Sequence, residues 1–144
     1  MSKVNEAIKL FNDGFNCSQA VFATYSEQLG LDSVSALKIS SCFGGGMGRL
    51  GETCGAVTGA LMLIGLKCGR FEQSDAVSKE MNYKLVQEFS KRFKARNEFL
   101  CCRDLLKVDL LTCDKSIISE RTQAICPKMV QDAAEIIEEL LELD

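Results

Sequence analysis

The chain has 144 residues, 47% of them hydrophobic, and this length and composition fit one folded domain with its own core. Its 17 basic and 20 acidic residues are mixed along the chain and give a net charge of −3, which argues against a nucleic-acid-binding face. The chain contains no histidine, so Ser-His and Cys-His catalytic arrangements are excluded. We therefore predict a single cysteine-rich domain over residues 1–144.

Apolar residues recur at helical spacing and no strand-like alternation is sustained, which predicts an all-α fold. Glycines, N-cap residues and the single proline then divide the chain into helices. The expected helices are Val4 to Gly14, Asn16 to Gly30, Asp32 to Phe43, Thr53 to Lys67, Ser74 to Arg96, Phe99 to Lys107, and a last helix whose first position is Pro127. Residues 108–126 fit either a helix or a loop. The pattern indicates a compact multi-helix bundle of about five to seven helices with a glycine-rich loop.

The glycine-rich loop, GGGMGRLG from Gly44 to Gly51, contains the GxGxxG spacing of dinucleotide-binding proteins. That motif requires a strand before the loop and an alternation of strands and helices, and the sequence predicts neither. We therefore expect no NAD site. Two interpretations stay open: a tight or flexible turn between helices, or a turn whose backbone N–H groups, at Gly45, Gly46 and Gly48, approach a bulky anionic group.

The helix that follows this loop has a face of small residues, which includes Gly55 and Gly59. Small residues allow another helix to approach closely. The alternatives are tight packing inside the chain, or room for a cofactor or for a symmetry-related subunit. The second alternative makes Gly55 a candidate cofactor-binding residue and suggests a homodimer.

Eight cysteines are many for a chain that is long enough to bury a core without disulfide bonds. The first residues lack the apolar core of a signal peptide, and the longest apolar stretch, residues 55–66, is too short to span a bilayer. We therefore expect a cytoplasmic protein that is not embedded in a membrane. In that compartment a high cysteine count favours metal binding or redox chemistry over a disulfide framework.

Three cysteines are expected at helix N-termini, where free N–H groups and the helix dipole lower the pKa of a thiol and stabilise thiolate. Cys17 follows the cap residue Asn16, Cys54 follows Thr53, and Cys126 directly precedes the expected start of the last helix. No CxxC spacing occurs, so a site with several cysteines has to gather them from separate helices.

The remaining cysteines carry weaker signals. Cys101 and Cys102 are adjacent, and neighbouring cysteines cannot both point at one small site without strain, so we expect only one of them to be functional. For Cys42, Cys68 and Cys113 the expected role is that of a small apolar side chain, buried or half-buried.

Several motifs resemble the redox-active family that is written C-GCAxxG-C-C after its cysteine pattern. They are NCSQAV around Cys17, GGGMGRLGETCGAVTGAL around Cys54, CRDLL at Cys102, and the late Cys126. The resemblance covers nearly the whole chain and implies that these four cysteines are the family's own. It also implies an association with transporters, whose genes tend to lie beside those of members. A similar domain forms part of split-Soret cytochromes, but this chain lacks CxxCH and any histidine, so we expect no covalent haem.

Three functions are compatible with these observations. In the first, which we favour, Cys17, Cys54, Cys102 and Cys126 converge on a metal centre, an iron–sulfur cluster or zinc, since four thiolates without histidine suit both. In the second, no metal binds: Cys54 is the attacking thiol, and Cys17 or another of the four is its partner. Either function implies a redox partner. In the third, the protein is a helical adaptor or small-molecule binder that serves a transporter, and its cysteines are structural.

Overall fold

The structure, a computed structural model, describes residues 1–143 and is all-α in that part of the chain, which confirms the predicted fold class. Its helices are α1 (Val4–Asn12), α2 (Cys17–Ser26), α3 (Ser33–Ser40), α4 (Gly55–Cys68), α5 (Ala76–Asn97), α6 (Cys102–Leu106) and α7 (Lys115–Leu141). Two 3₁₀ turns, Glu27–Leu29 and Ser41–Phe43, extend α2 and α3. Within residues 1–143, no helix combines the length and the apolar composition that a bilayer crossing requires.

Helix α2 lies at the centre of the bundle and contacts α1, α3, α4 and α7. Most of its residues are buried, among them Val21, Phe22 and Tyr25. Helix α4 packs along α2 and buries Val57 and Ile64, while α5 and α7 cover its other sides. A helix that is apolar on nearly all sides is typical of a buried central element, so α2 and α4 form the frame to which the other helices are attached.

Most of the longer helices are capped at their N-terminus by a side chain. The Asn16 side chain accepts a hydrogen bond from the N–H of Gln19 (2.9 Å), and the Gln19 side chain accepts one from the N–H of Asn16 (3.1 Å). This is the capping box that the sequence predicts at the start of α2. Asp32, Asp75 and Asp114 each accept an N–H bond at the start of α3, α5 and α7. These caps fix where the helices begin.

Two predictions about the last helix are wrong. Helix α7 begins at Lys115, so Pro127 lies in its interior, where it supplies no N–H to the carbonyl of Gln123 one turn earlier. Cys126 therefore lies in the middle of a helix rather than at its N-terminus. The first half of α7 is mostly exposed, so its apolar periodicity is sparse, and the Asp114 cap rather than the proline marks its start.

The loop between α3 and α4 contains a left-handed turn over residues 45–49, which we call the glycine turn. All five residues have positive φ, between 62° and 68°. Two of them, Met47 and Arg49, are not glycine, and this conformation costs such residues about 1–2 kcal/mol each. The N–H of Glu52 donates to the carbonyl of Gly46 (3.0 Å) and helps to close the turn. The loop is therefore a tight turn with a fixed hydrogen-bonding pattern.

Candidate functional site

The start of α2 lies directly against α4, which places Cys17 near Cys54. A Cβ atom at Gly55 would lie 3.0 Å from the backbone nitrogen of Ser18, and one at Gly59 would lie 2.8 Å from its carbonyl oxygen. Only glycine at these positions lets the two backbones approach so closely. The small-residue face is thus used for packing inside the chain. It offers no surface to a second subunit, so the suggestion of a homodimer loses its basis.

A short antiparallel bridge orients the next two cysteines. It is centred on Thr53 and Cys101, and the N–H groups of Cys54 and Cys102 donate across it over 2.7 and 2.6 Å. Side chains alternate between the two faces of extended chain, so Cys54 and Cys102 lie on one face and Cys101 on the other. The bridge therefore decides which of the adjacent cysteines is buried: Cys102 is, whereas Cys101 is half-buried on the opposite face.

Helix α7 brings Cys126 to the same region. The residue lies midway along the helix, directly before Pro127, whose ring interrupts the hydrogen-bonding pattern of the preceding turn. Arg121, less than two turns earlier, donates to the carbonyl of Leu106 (2.9 Å) at the end of α6. This bond links α7 to the helix that begins with Cys102.

Cys17, Cys54, Cys102 and Cys126 line one cavity of 540 Å³, which we call the cysteine cavity. All four side chains are buried, with at most 7% of each residue exposed. Apolar side chains form much of the remaining wall, namely Phe11, Phe15, Leu105, Leu106, Leu110 and Met129. Among the described residues that line it, none is charged. A cavity of this size and polarity fits a cofactor or a small organic molecule.

Two of the thiols lie close enough to shift each other's pKa. Interaction with the Cys126 thiol, together with burial, raises the pKa of Cys17 well above its usual value. The same interaction lowers the pKa of Cys126, although burial opposes the shift. Cys126 is therefore the member of the pair that ionises first.

The other two thiols are held in the neutral form. Burial raises the pKa of Cys54 to about 12, although backbone N–H groups at the start of α4 favour its thiolate. Burial also raises the pKa of Cys102 to about 12, and negative charge on Cys126 adds to the shift. For Cys17 and Cys54 the direction is opposite to the one expected from their positions at helix N-termini. Removal from water outweighs the helix dipole there because both residues are buried.

The predicted glycines have different surroundings. Gly45 and Gly55 line the cysteine cavity. Gly46 packs directly against Cys102, since a Cβ atom at Gly46 would lie 2.7 Å from the Cβ of Cys102. A Cβ atom at Gly48 would have open space around it, and this residue does not line the cavity. The structure therefore places two of the four at the cavity wall and gives a third a packing role.

The other four cysteines lie outside the cavity wall. Cys42 is exposed, whereas Cys68, Cys101 and Cys113 are half-buried. Within residues 1–143, no three cysteine or carboxylate side chains surround a point at which they would hold one metal ion. The four motif cysteines thus share a cavity without forming a ready coordination sphere.

Sequence reasoning did not identify the apolar wall of the cavity. Phe15 precedes the cap of α2, and Leu110 lies in the connection between α6 and α7. Leu110 is buried and Phe15 is half-buried. Large apolar residues inside short connections are the signal that could have found them, because connections usually lie on the surface.

These observations define a class of protein: an all-α bundle in which four buried cysteines from separate segments line one cavity. The chain matches the family described as "Putative redox-active protein (C_GCAxxG_C_C)" over residues 15–140 and belongs to that family. Comparison with curated proteins and with solved structures gives no match.

Proposed function

We propose that the protein acts in redox chemistry through the cysteine cavity, and that Cys17 and Cys126 are the pair that cycles between dithiol and disulfide. One observation carries this proposal: these two residues come from different helices, line the same cavity, and lie close enough for each thiol to shift the pKa of the other. A disulfide between them requires the two sulfur atoms to approach to the S–S bond length of about 2.05 Å. The family's description as redox-active supports the same chemistry.

The proposed reaction is thiol–disulfide exchange with a bound disulfide compound. The Cys126 thiolate attacks one sulfur of the substrate, the S–S bond breaks, and the leaving sulfur departs as a thiolate that takes a proton from solvent. Cys17 then gives up its proton and attacks the Cys126 sulfur of the mixed disulfide, which releases the second substrate thiol. The protein ends with a Cys17–Cys126 disulfide, and the substrate has gained two electrons and two protons. A partner that returns electrons to the protein completes the cycle.

This proposal moves the attack from Cys54, which the sequence predicted, to Cys126. The pKa of Cys54, about 12, keeps its thiol neutral near neutral pH, and a neutral thiol is a poor nucleophile. Cys54 and Cys102 then contribute to the wall of the cavity. A site that starts from reduced thiols suits a cytoplasmic location, which we propose with it.

A second candidate is an iron–sulfur centre held by Cys17, Cys54, Cys102 and Cys126. The donor set supports it, because iron–sulfur clusters are held by cysteine thiolates and the chain has no histidine to compete. The cavity volume of 540 Å³ leaves room for a group of several atoms. Zinc fits less well, since its ligands all lie about 2.3 Å from one ion and no three side chains of the described part are so placed. A bound cluster would supply one-electron transfer, and the cavity walls would exclude water from it.

The two candidates are separated by metal analysis and disulfide mapping. The protein is purified without oxygen, its visible spectrum is recorded, and iron, sulfide and zinc per chain are measured. Metal-free protein is then treated with a limiting amount of a disulfide oxidant, free thiols are trapped, and disulfides are mapped by mass spectrometry. The variants are C17S and C126S. C101S is the matched control, since Cys101 lies in the same bridge but on its opposite face.

Each candidate predicts a different result. For the dithiol, we expect no stoichiometric iron and a Cys17–Cys126 disulfide as the first product, absent from C17S and C126S and retained in C101S. Stoichiometric iron and sulfide, lost when any of the four cavity cysteines is replaced, would establish the cluster instead. A first disulfide between other cysteines would refute the Cys17–Cys126 pair, and protein purified without oxygen that holds no iron and sulfide would refute the cluster.

A further inference from the structure

A second cavity adjoins the cysteine cavity. It has a volume of 750 Å³, and we call it the outer cavity. The two cavities share the wall residues Asn16, Gly45, Leu110, Ser119 and Thr122. Because these five residues line both spaces, the outer cavity lies directly beside the rim of the cysteine cavity. Its own wall adds two cations, Arg49 and Lys115, and the half-buried Cys113.

The charge of the outer cavity is positive. In the described part of the chain, neither Arg49 nor Lys115 takes part in an ion pair. The acid beside Lys115 is Asp114, whose carboxylate accepts hydrogen bonds from the backbone and the hydroxyl of Ser116 and does not line the cavity. Asp109 is likewise occupied, by the backbone N–H of Leu111, and does not line it either. Both cations are exposed and free to attract an anion.

The backbone holds Arg49 in place at a cost. Its φ of 68° is in the left-handed region, which costs a residue other than glycine about 1–2 kcal/mol. Its side chain crosses over Gly45, where a Cβ atom would lie only 3.0 Å from Cγ of Arg49. Gly45 belongs to the wall that both cavities share. The strained turn therefore carries the arginine to the wall that the two cavities share, and strain of this kind concentrates at functional positions.

We infer that the outer cavity is the entrance for an anionic, low-molecular-weight thiol or disulfide compound, whose negative charge is selected by Arg49 and Lys115. The substrate class rests on the proposed thiol–disulfide function. The uncharged, largely apolar wall of the inner cavity suits the reacting sulfur and its carbon chain, while the carboxylates of the compound stay at the cationic mouth. A cationic disulfide would be repelled at the same place.

The test uses two alkylating probes that differ only in charge, iodoacetate and iodoacetamide, on the reduced full-length protein. Alkylation rates are measured at three cysteines by peptide mass spectrometry. Cys113 reports on the outer cavity, Cys126 reports on passage to the inner one, and the exposed Cys42, which lines neither cavity, is the internal reference. The quantity compared is the iodoacetate-to-iodoacetamide rate ratio at each site divided by the ratio at Cys42.

We expect this normalised ratio to be about five at Cys113 and at Cys126. Two cations several ångströms away would produce an effect of this size at a protein surface. It should fall towards one in about 0.5 M salt, where screening acts over a few ångströms. The variant R49Q/K115Q should lose the preference, and R49K should keep it. K84Q/K91Q, which removes the same charge from α5, is the matched control and should retain the ratio.

The outcomes separate this inference from the proposed function. Three results would refute the proposed entrance. They are a normalised ratio of one at both sites, a ratio that R49Q/K115Q does not change, and a preference for iodoacetate at Cys113 that is absent at Cys126. Absence of any alkylation at Cys126 in the folded protein would also overturn it, because no path would then be open. If the protein prefers iodoacetate at both sites but forms no Cys17–Cys126 disulfide, the dithiol function is refuted and the proposed entrance is still supported.

Discussion

Replacing glycine by alanine at two positions of α4 should have opposite effects on stability. At Gly59 the new methyl group would lie 2.8 Å from the carbonyl oxygen of Ser18 and 3.2 Å from the Cβ of Val21, so α2 or α4 has to move. At Gly65 no heavy atom lies within 4 Å of the new methyl group. The two substitutions share one helix and one chemical change, and they differ in what the added methyl group contacts.

The expected magnitudes follow from two opposing contributions. Alanine in a helix interior is favoured over glycine by about 1 kcal/mol, and this gain applies at both sites. Overpacking a close contact costs about 1–3 kcal/mol, and this loss applies only at Gly59. We therefore expect G65A to raise the free energy of unfolding by about 0.5–1 kcal/mol. At Gly59 the contact is with a backbone oxygen at 2.8 Å, so the loss lies in the upper part of the overpacking range, at about 2–3 kcal/mol. G59A should therefore lower the free energy of unfolding by about 1–2 kcal/mol, or roughly 2–8 °C in Tm for a chain of this length.

The free energy of unfolding of both variants is measured by urea denaturation, followed by the circular dichroism of the helices. We expect the two variants to show the same dependence of this free energy on urea concentration. A G59A protein as stable as the wild type would refute the close α2–α4 contact on which the description of the site rests. If G65A destabilised the protein as much as G59A does, the contact with α2 would not explain the effect at Gly59, because Gly65 makes no such contact.

Two further predictions concern α7 and the helix caps. P127A restores an N–H to the carbonyl of Gln123, so the free energy of unfolding should rise by about 1–3 kcal/mol. The added hydrogen bond also makes the helix around Cys126 more rigid, so the Cys17–Cys126 disulfide should form more slowly. A faster disulfide would contradict this role for the proline. Three N-cap carboxylates have pKa values lowered by backbone hydrogen bonds at their helix starts, and they belong to Asp32, Asp75 and Asp114. Because their pKa is lower in the folded protein, they stabilise it above about pH 4, and this contribution is lost as the pH falls through the folded values. Replacing all three by asparagine, which caps equally well, should flatten the acid-induced loss of stability, whereas D104N should not.

The sequence was sufficient where local chemistry decides the structure. The capping box of Asn16 and Gln19 predicts the start of α2, and the apolar periodicity predicts the class of the fold. It was insufficient where tertiary contacts decide. Pro127 is typical of a first helical turn, yet α7 continues through it because the helix is anchored on both sides, by the Asp114 cap before it and by the buried face of its second half after it.

The protonation of the thiols shows the same limit. A sequence indicates that Cys17 and Cys54 lie near helix N-termini, which favours thiolate, but it does not show how deeply they are buried. Burial reverses the direction of the pKa shift at both positions. Cys126, in the middle of a helix, is the one whose pKa is lowered, because its partner thiol comes from a different segment of the chain.

These contacts assign a physical role to the cysteine and the two glycines of the stretch CGAVTG, residues 54–59. Cys54 supplies a sulfur to the cavity wall, whereas Gly55 and Gly59, about one turn apart on α4, let this helix lie against the backbone of Ser18. Cys17 is the residue before Ser18, so any shift of α2 away from α4 also moves its sulfur relative to that of Cys126. The glycines of this stretch therefore influence the proposed Cys17–Cys126 pair by setting the distance between α2 and α4, not by binding a ligand. We expect G59A to slow the formation of the Cys17–Cys126 disulfide, although it replaces no cysteine. If a destabilised G59A protein formed this disulfide at the wild-type rate, the α2–α4 contact would contribute to stability only and not to the positions of the two sulfur atoms.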